Sequence, residues 1–253
     1  MGSRGDGDDQ HGEPREGVRY RRILLKLSGE ALLGNQGFGV DPQVLRRIAG
    51  EVAEVHRLGV AIGIVVGGGN IFRGVALSKG GSVGRVTGDH MGMLATVMNA
   101  LAFHDALEAQ GVPARVLSAI SIERVAEPFD QRVALEHLDA RRVLLLAAGT
   151  GNPFFTTDTA AALRAAELGA EILCKATKVD GIYDRDPMVH HDATFFAELT
   201  YREVLERQLK VMDATAISLC MENRIPIAVL NLLREGSVLA LVRGERVGSL
   251  VKE

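Results

Sequence analysis

Apolar runs of strand length that stop at a loop of glycines and small polar residues constrain this chain more than any other feature. Val60 to Val66 ends in Gly67-Gly68-Gly69-Asn70, and Val143 to Ala148 ends in the polar loop Gly149 to Asp158, GTGNPFFTTD. Near-continuous apolar strands are the ones covered on both faces, as in a parallel sheet. Segments of helical period lie between them. Val44, Leu45, Ile48, Val52 and Val55 form one stripe behind Asp41-Pro42, an N-cap followed by a proline at the first helical position. Further helices are expected over Asp89 to Gln110, over Glu123 to Leu138 with Pro128 interrupting, and over Thr159 to Leu168. Thr200 and Glu203 have capping-box spacing for a helix to about Lys210, and Val211 to Asn223 reads as another. Strands are expected at Ile23 to Leu27, Ala114 to Leu117, Ile172 to Ala176, Ile225 to Leu230, Val238 to Val242 and Ser249 to Val251. The alternation predicts an α/β fold, a three-layer α/β/α sandwich around a mostly parallel central sheet, in one domain from Tyr20 to Glu253.

Met1 to Arg19 is glycine-rich, charged and almost empty of large apolar residues, so it is expected to be a disordered tail. The rest of the 253-residue chain, which is 47% hydrophobic overall, is ample for a core. A net charge of -3 with dispersed basic residues excludes a nucleic-acid stripe but leaves individual phosphates as ligands. Cys174 and Cys220 have no partner spacing, which argues against disulfides or a zinc site and fits a reducing cytoplasm. The apolar runs fall short of the roughly 20 residues of a membrane span, and no signal-peptide pattern opens the chain, so a soluble protein is expected. His90 and His104 lack metal-ligand spacing, and His190-His191 reads as surface.

Lys26 and Lys175 are charges inside apolar strands. A lysine near a strand end can simply reach back to water, but beside Ser28-Gly29 it can also hold a phosphate. Arg73 adds a guanidinium beyond the glycine triple, where the backbone can approach a ligand closely. The dinucleotide fingerprint fails at Phe72, and no Gly-Lys pair exists for a P-loop. Thr150, Asn152, Thr156 and Thr157 present hydroxyl and amide groups at a strand's carboxyl end, where open α/β sheets bind ligands. Asp158 and Asp89 each have an ordinary reading as helix caps beside a binding role. Met91, Leu94, Met98 and Leu101 along one side of their helix read as core or subunit packing.

Five motifs in a fixed order carry a resemblance: Lys26-Leu27-Ser28-Gly29-Glu30, Gly67 to Gly74, Gly88 to Ala95, Gly149 to Asp158, and Lys175 to Gly181. From about Arg21 to its C-terminus the chain resembles the bacterial UMP kinases of the amino-acid-kinase family. The resemblance implies transfer of the ATP γ-phosphoryl group to UMP, with Mg²⁺ held mainly by phosphates and water and no protein metal ligand named. It implies ATP contacts at Lys26, Leu27, Ser28, Gly29, Gly69, Arg73, Thr177, Tyr183 and Asp186. UMP contacts are implied at Gly68, Asp89, Thr150, Gly151, Asn152, Pro153, Phe154, Phe155, Thr156 and Thr157. Lys26, Arg73 and Lys175 would compensate charge, and Asp158 and Asp213 would orient the lysines. Also implied are a homohexamer, UTP inhibition, and GTP activation associated with the loop Gly34, Asn35, Gln36, Gly37, Phe38 and Gly39. Ser82 to Val86, in a variable loop, and the tail depart from the family pattern. Two other readings stand beside this one: a relative phosphorylating a carboxylate or carbamate, and a nucleotide-binding sensor on the same fold without catalysis.

Overall fold

The structure, a computed structural model, describes residues 17–72 and 83–253. Most of the expected tail, together with Arg73 and the positions from there through Ser82, lies outside the described residues. The chain is anchored by Arg19, whose N–H donates to Val242 O at 2.8 Å, just before the expected start at Tyr20. The elements run β1 (Arg22–Leu27), α1 (Pro42–Arg57), β2 (Ala61–Val66), α2 (Arg85–Glu108), β3 (Ala114–Ser118), β4 (Glu127–Pro128), α3 (Gln131–Asp139) and β5 (Val143–Ala147). They continue as α4 (Thr157–Leu168), β6 (Ile172–Thr177), β7 (Ile182–Tyr183), β8 (Phe195–Phe196), β9 (Glu198–Thr200), α5 (Tyr201–Glu206), α6 (Ala214–Glu222), β10 (Ile227–Asn231), α7 (Ser237–Val242) and β11 (Ser249–Lys252).

Nine of these strands form one sheet in the order β4-β3-β5-β2-β1-β6-β10-β11-β9, parallel throughout except for the antiparallel pair β10 and β11. Side chains alternate between its faces. Ile23, Leu25 and Leu27 pack with α1, α2 and α7, whereas Leu24 packs with α3, α4, α5 and α6. The result is the expected α/β/α sandwich, with a separate small hairpin of β7 and β8. The chain leaves β1 for β2 on one side, and the later crossover from β5 to β6 brings it to the other side of β1. That reversal makes the carboxyl edge of β1 and β6 a topological switch point, where such sheets take ligands.

Several local expectations are corrected. Val238 to Val242 is helix α7, not a strand: Val238, Leu241 and Val242 are buried at helical spacing, and Glu51 on α1 accepts the Val238 N–H at 2.8 Å. No helix forms ahead of Pro128: Glu123 to Ala126 make turns and a bend, Pro128 pairs in β4, and α3 begins only after Asp130, whose side chain caps it. Helix α2 starts at Arg85, so Arg85 and Val86 belong to its first turn, and Asp89, in the second turn, is not its cap. Asp158 is not a cap either, because Thr156 accepts from Asp158 N and Thr159 N at the start of α4. The Asp41 cap and the Thr200–Glu203 capping box form as expected.

Candidate active site

Strand register creates the centre of the site. Lys26 on β1 stands directly opposite Lys175 on β6. Alternation sends both side chains to the face that holds Leu24 and Leu173, against α4. Because Thr156 performs the capping, the Asp158 carboxylate on α4 is free to lie between them. Its Oδ1 is 2.7 Å from Lys26 Nζ and its Oδ2 is 2.9 Å from Lys175 Nζ. Lys175 Nζ also donates to Val211 O at 2.5 Å. Burial works against ionisation of Asp158, but the Lys26 and Lys175 charges outweigh it and hold the carboxyl below its usual range. Burial also holds Lys175 below the usual lysine value, with Asp158 acting in the opposite direction. Two cations sharing one anion leave a net positive charge at the sheet's carboxyl edge, which suits a phosphate.

Asp213 takes a different place. Its carboxylate caps α6 through Ala216 N at 2.7 Å and accepts from the hydroxyls of Thr156 and Thr159. It therefore acts on Lys175 through space and joins the start of α6 to the start of α4. Thr159 and the Val211 carbonyl are members of this cluster that no sequence motif pointed to.

Around the lysines the glycine loops interlock. Ser28-Gly29 follows β1, and Leu27, buried in the core, accepts the Gly67 N–H at 2.9 Å. A Cβ on Gly29 would lie 2.5 Å from Gly67 O and 2.7 Å from Gly69 N, and one on Gly67 would lie 3.5 Å from Thr157 Oγ1. A Cβ on Gly68 would meet Ala95 Cβ and Gly92 O, each at 2.8 Å, so this glycine lets the loop pack on α2. A Cβ on Gly69 would meet no such crowding, its nearest contact being Glu30 Cγ at 3.8 Å.

The loop after β5 turns through left-handed backbone at Ala148, Gly149, Gly151 and Phe154. Thr150 and Asn152 hydrogen-bond to one another across the turn, and Pro153 leads to the exposed rings of Phe154 and Phe155. The strained Phe154 backbone has a visible partner, since its N–H donates to Asp89 Oδ2 at 2.8 Å. Arg85 holds both oxygens of the same carboxylate, at 2.9 and 2.8 Å. Burial opposes the charge of Asp89, but these donors keep its pKa below the ordinary value. Asp89 thus joins α2 to the polar loop.

Beyond β6, a cavity of about 550 Å³ opens beside Lys175 and is lined by Thr177, Tyr183, Asp186, Val211 and Val229 among others. Thr177 Oγ1 donates to Val179 O at 2.8 Å, Tyr183 stacks edge-on against Phe195, and Asp186 caps the following turn through Met188 N. Loop 34–39 meets the glycine loop at its end, where Gly39 bonds to Asn70, and Phe38 is exposed. Arg73 lies outside the described residues. A hollow of about 640 Å³ lined by Leu101, His104 and Arg115 contains neither paired lysine. Among the described residues no group of three or more His, Cys, Asp or Glu is placed to hold a metal.

This chain is similar to known proteins over most of its length. The amino acid kinase family model matches residues 21–231, and the chain belongs to that family. Within it, the uridylate kinase of Methylococcus capsulatus is 55% identical over 232 residues, which are 92% of this chain and 97% of that one. The uridylate kinase of Stutzerimonas stutzeri is 57% identical over 235 residues, 93% and 95% of the two chains. Among solved structures, UMP kinase from Bacillus anthracis superposes with a TM-score of 0.89 at 34% identity, covering 92% of this chain and 96% of that one. UMP kinase from Ureaplasma parvum gives 0.87 at 34% identity, covering 93% and 100%.

Proposed function

We propose that this chain transfers the γ-phosphoryl group of ATP to UMP, giving UDP and ADP in the supply of pyrimidine nucleotides. The observation that carries the reading is the Lys26–Asp158–Lys175 cluster between two glycine-rich loops, in a chain more than half identical to proteins named uridylate kinase. A phosphate oxygen of UMP attacks the γ-phosphorus, and the bond to the β,γ-bridging oxygen breaks, leaving that oxygen on ADP. Such a reaction needs alignment and charge compensation more than covalent help. The two ammonium groups supply the charge, and Asp158 keeps them in one place. Arg73 is assigned to the same task by its motif.

The donor is assigned to the cavity beside Lys175, with Thr177, Tyr183 and Asp186, and to Ser28, Gly29 and Gly69. The acceptor is assigned to Gly68, Asp89 and the loop from Thr150 to Thr157. An ionised Asp89 suits ribose hydroxyls, which donate to it. The described residues do not form a carboxylate cage for Mg²⁺, since Asp158 is taken by lysines and Asp213 by threonines and the α6 amide. The ion is therefore given to the nucleotide phosphates and water. With this reading go a cytoplasmic location, a homohexamer, GTP and UTP as effectors, and a single catalytic domain beginning near Tyr20.

The test offers UMP, CMP, dUMP, aspartate, glutamate and carbamate separately with ATP and Mg²⁺ and measures ADP. UMP is expected to support turnover. ADP formed with a carboxylate or carbamate and not with UMP would move the chain to the other kinase reading, and ADP with none would favour a sensor.

A further inference from the structure

Two asparagines close the back of the glycine loop. Asn99 on α2 and Asn70 after Gly69 are 0% and 3% exposed. Burying a primary amide is unfavourable unless its hydrogens and oxygen are paired. These two pair with each other: Asn70 Nδ2 donates to Asn99 Oδ1 at 2.9 Å, and Asn99 Nδ2 donates to Asn70 Oδ1 at 2.7 Å. The other amide hydrogens go to the main chain, from Asn99 Nδ2 to Gly67 O at 2.7 Å and from Asn70 Nδ2 to Gly39 O at 2.9 Å. Gly39 N in turn donates to Asn70 O at 3.0 Å.

The atoms this pair holds are the ones the neighbouring loop rests on. A Cβ on Gly29 would lie 2.6 Å from Asn70 Oδ1 as well as 2.5 Å from Gly67 O. Three segments thus meet at one buried point: the turn after β1, the glycine loop after β2, and the end of loop 34–39. Asn99 shares the buried face of α2 with Thr96, Ala100 and Phe103, where an aliphatic side chain would fill space with no hydrogen-bonding demand. A reciprocal amide pair adds what packing alone does not, a fixed direction for each donor and acceptor.

We propose that the Asn70–Asn99 pair is a positioning unit for the phosphate cradle, fixing the backbone of Gly67 to Gly69 relative to α2 and to loop 34–39. The inference rests on the phosphoryl-transfer reading above. Since α2 also carries Asp89, the pair ties the cradle to the helix that grips the acceptor loop. Its effect falls on alignment of the two nucleotides more than on their affinity.

The test compares the unsubstituted chain with Asn70→Ala, Asn99→Ala and the double variant, each checked for folding by circular dichroism and melting temperature. Misplacing reacting groups by about 1 Å costs on the order of 10²-fold in rate, so each single variant should lose at least ~10-fold in kcat. KM for ATP and for UMP should change by less than about threefold, and the double variant should be no slower than the slower single, as residues acting as a unit are. A kcat within about twofold of the parent in folded single variants, whatever their melting temperature, overturns the proposal, and so do losses that multiply in the double. If an alanine variant is not recovered folded, serine at the same position is judged by the same kcat and KM criteria. The parent assayed alongside separates the two readings. No UDP from it counts against the reaction, whereas UDP from it with undiminished variants counts against the amide pair.

Discussion

Replacing Lys26 by alanine removes one of the two cations that share Asp158 and leaves the other fully paired, so the net positive charge of the centre disappears. Turnover of Lys26→Ala is expected to fall by at least ~10²-fold, the order found when one preorganised electrostatic group is lost. Steady-state kinetics decide it, and near-parental kcat would remove Lys26 from the chemistry. Asp158 itself links the site to acid stability. Its native pKa is lowered, so its stabilising ion pairs are fully present above the unfolded carboxyl's range and are lost as pH falls through the lowered native value. Asp158→Asn should therefore melt below the parent at neutral pH, and the gap should narrow from roughly pH 4 downward. A gap that stays constant to low pH would mean that the Asp158 charge contributes little to stability.

At the level of elements, the glycine loop divides into a packing glycine and an open one. Gly68→Ala would push a Cβ against Ala95 and Gly92 on α2 and should destabilise by about 1–3 kcal/mol, the usual effect of overpacking. Gly69→Ala meets ordinary contact distances and should melt like the parent while raising KM for ATP. Equal melting temperatures for the two variants would contradict this division. Elements with local signals could be read in the sequence, as at Asp41-Pro42 and the Thr200–Glu203 box, because both partners lie within one turn. Helix α7 could not: five apolar residues carry no decisive period, and its cap comes from Glu51 on α1. The site divides in the same way. Lys26, Lys175 and the glycine loops are visible one by one, but their meeting depends on strand register. Asp158 as a bridge depends on Thr156 being the cap. Asn99 left a faint signal, a polar residue in phase with Thr96 and Phe103 on a buried helix face.

For the whole molecule, α2 is apolar on two sides. Met93, Val97 and Phe103 face the core, while Met91, Leu94, Met98 and Leu101 are exposed, Met98 to 56%. An exposed apolar stripe of this kind marks a contact surface, so a second copy of the chain is expected to cover it. Light scattering should give a multiple of the 27.1 kDa chain mass, reduced by the paired change Leu94→Glu and Met98→Glu. A monomeric parent would refute this. The facing of Lys26 and Lys175 across β1 and β6 also limits how the chain can vary in length. Inserting one residue before either lysine would turn its ammonium into the layer formed with α1, α2 and α7, stranding a charge among aliphatic side chains. Such a chain would lose its fold along with its chemistry and could not persist as a weak catalyst. Insertions and deletions are therefore expected to be tolerated only in the segments beyond the strand ends, where they leave the register of the two lysines unchanged.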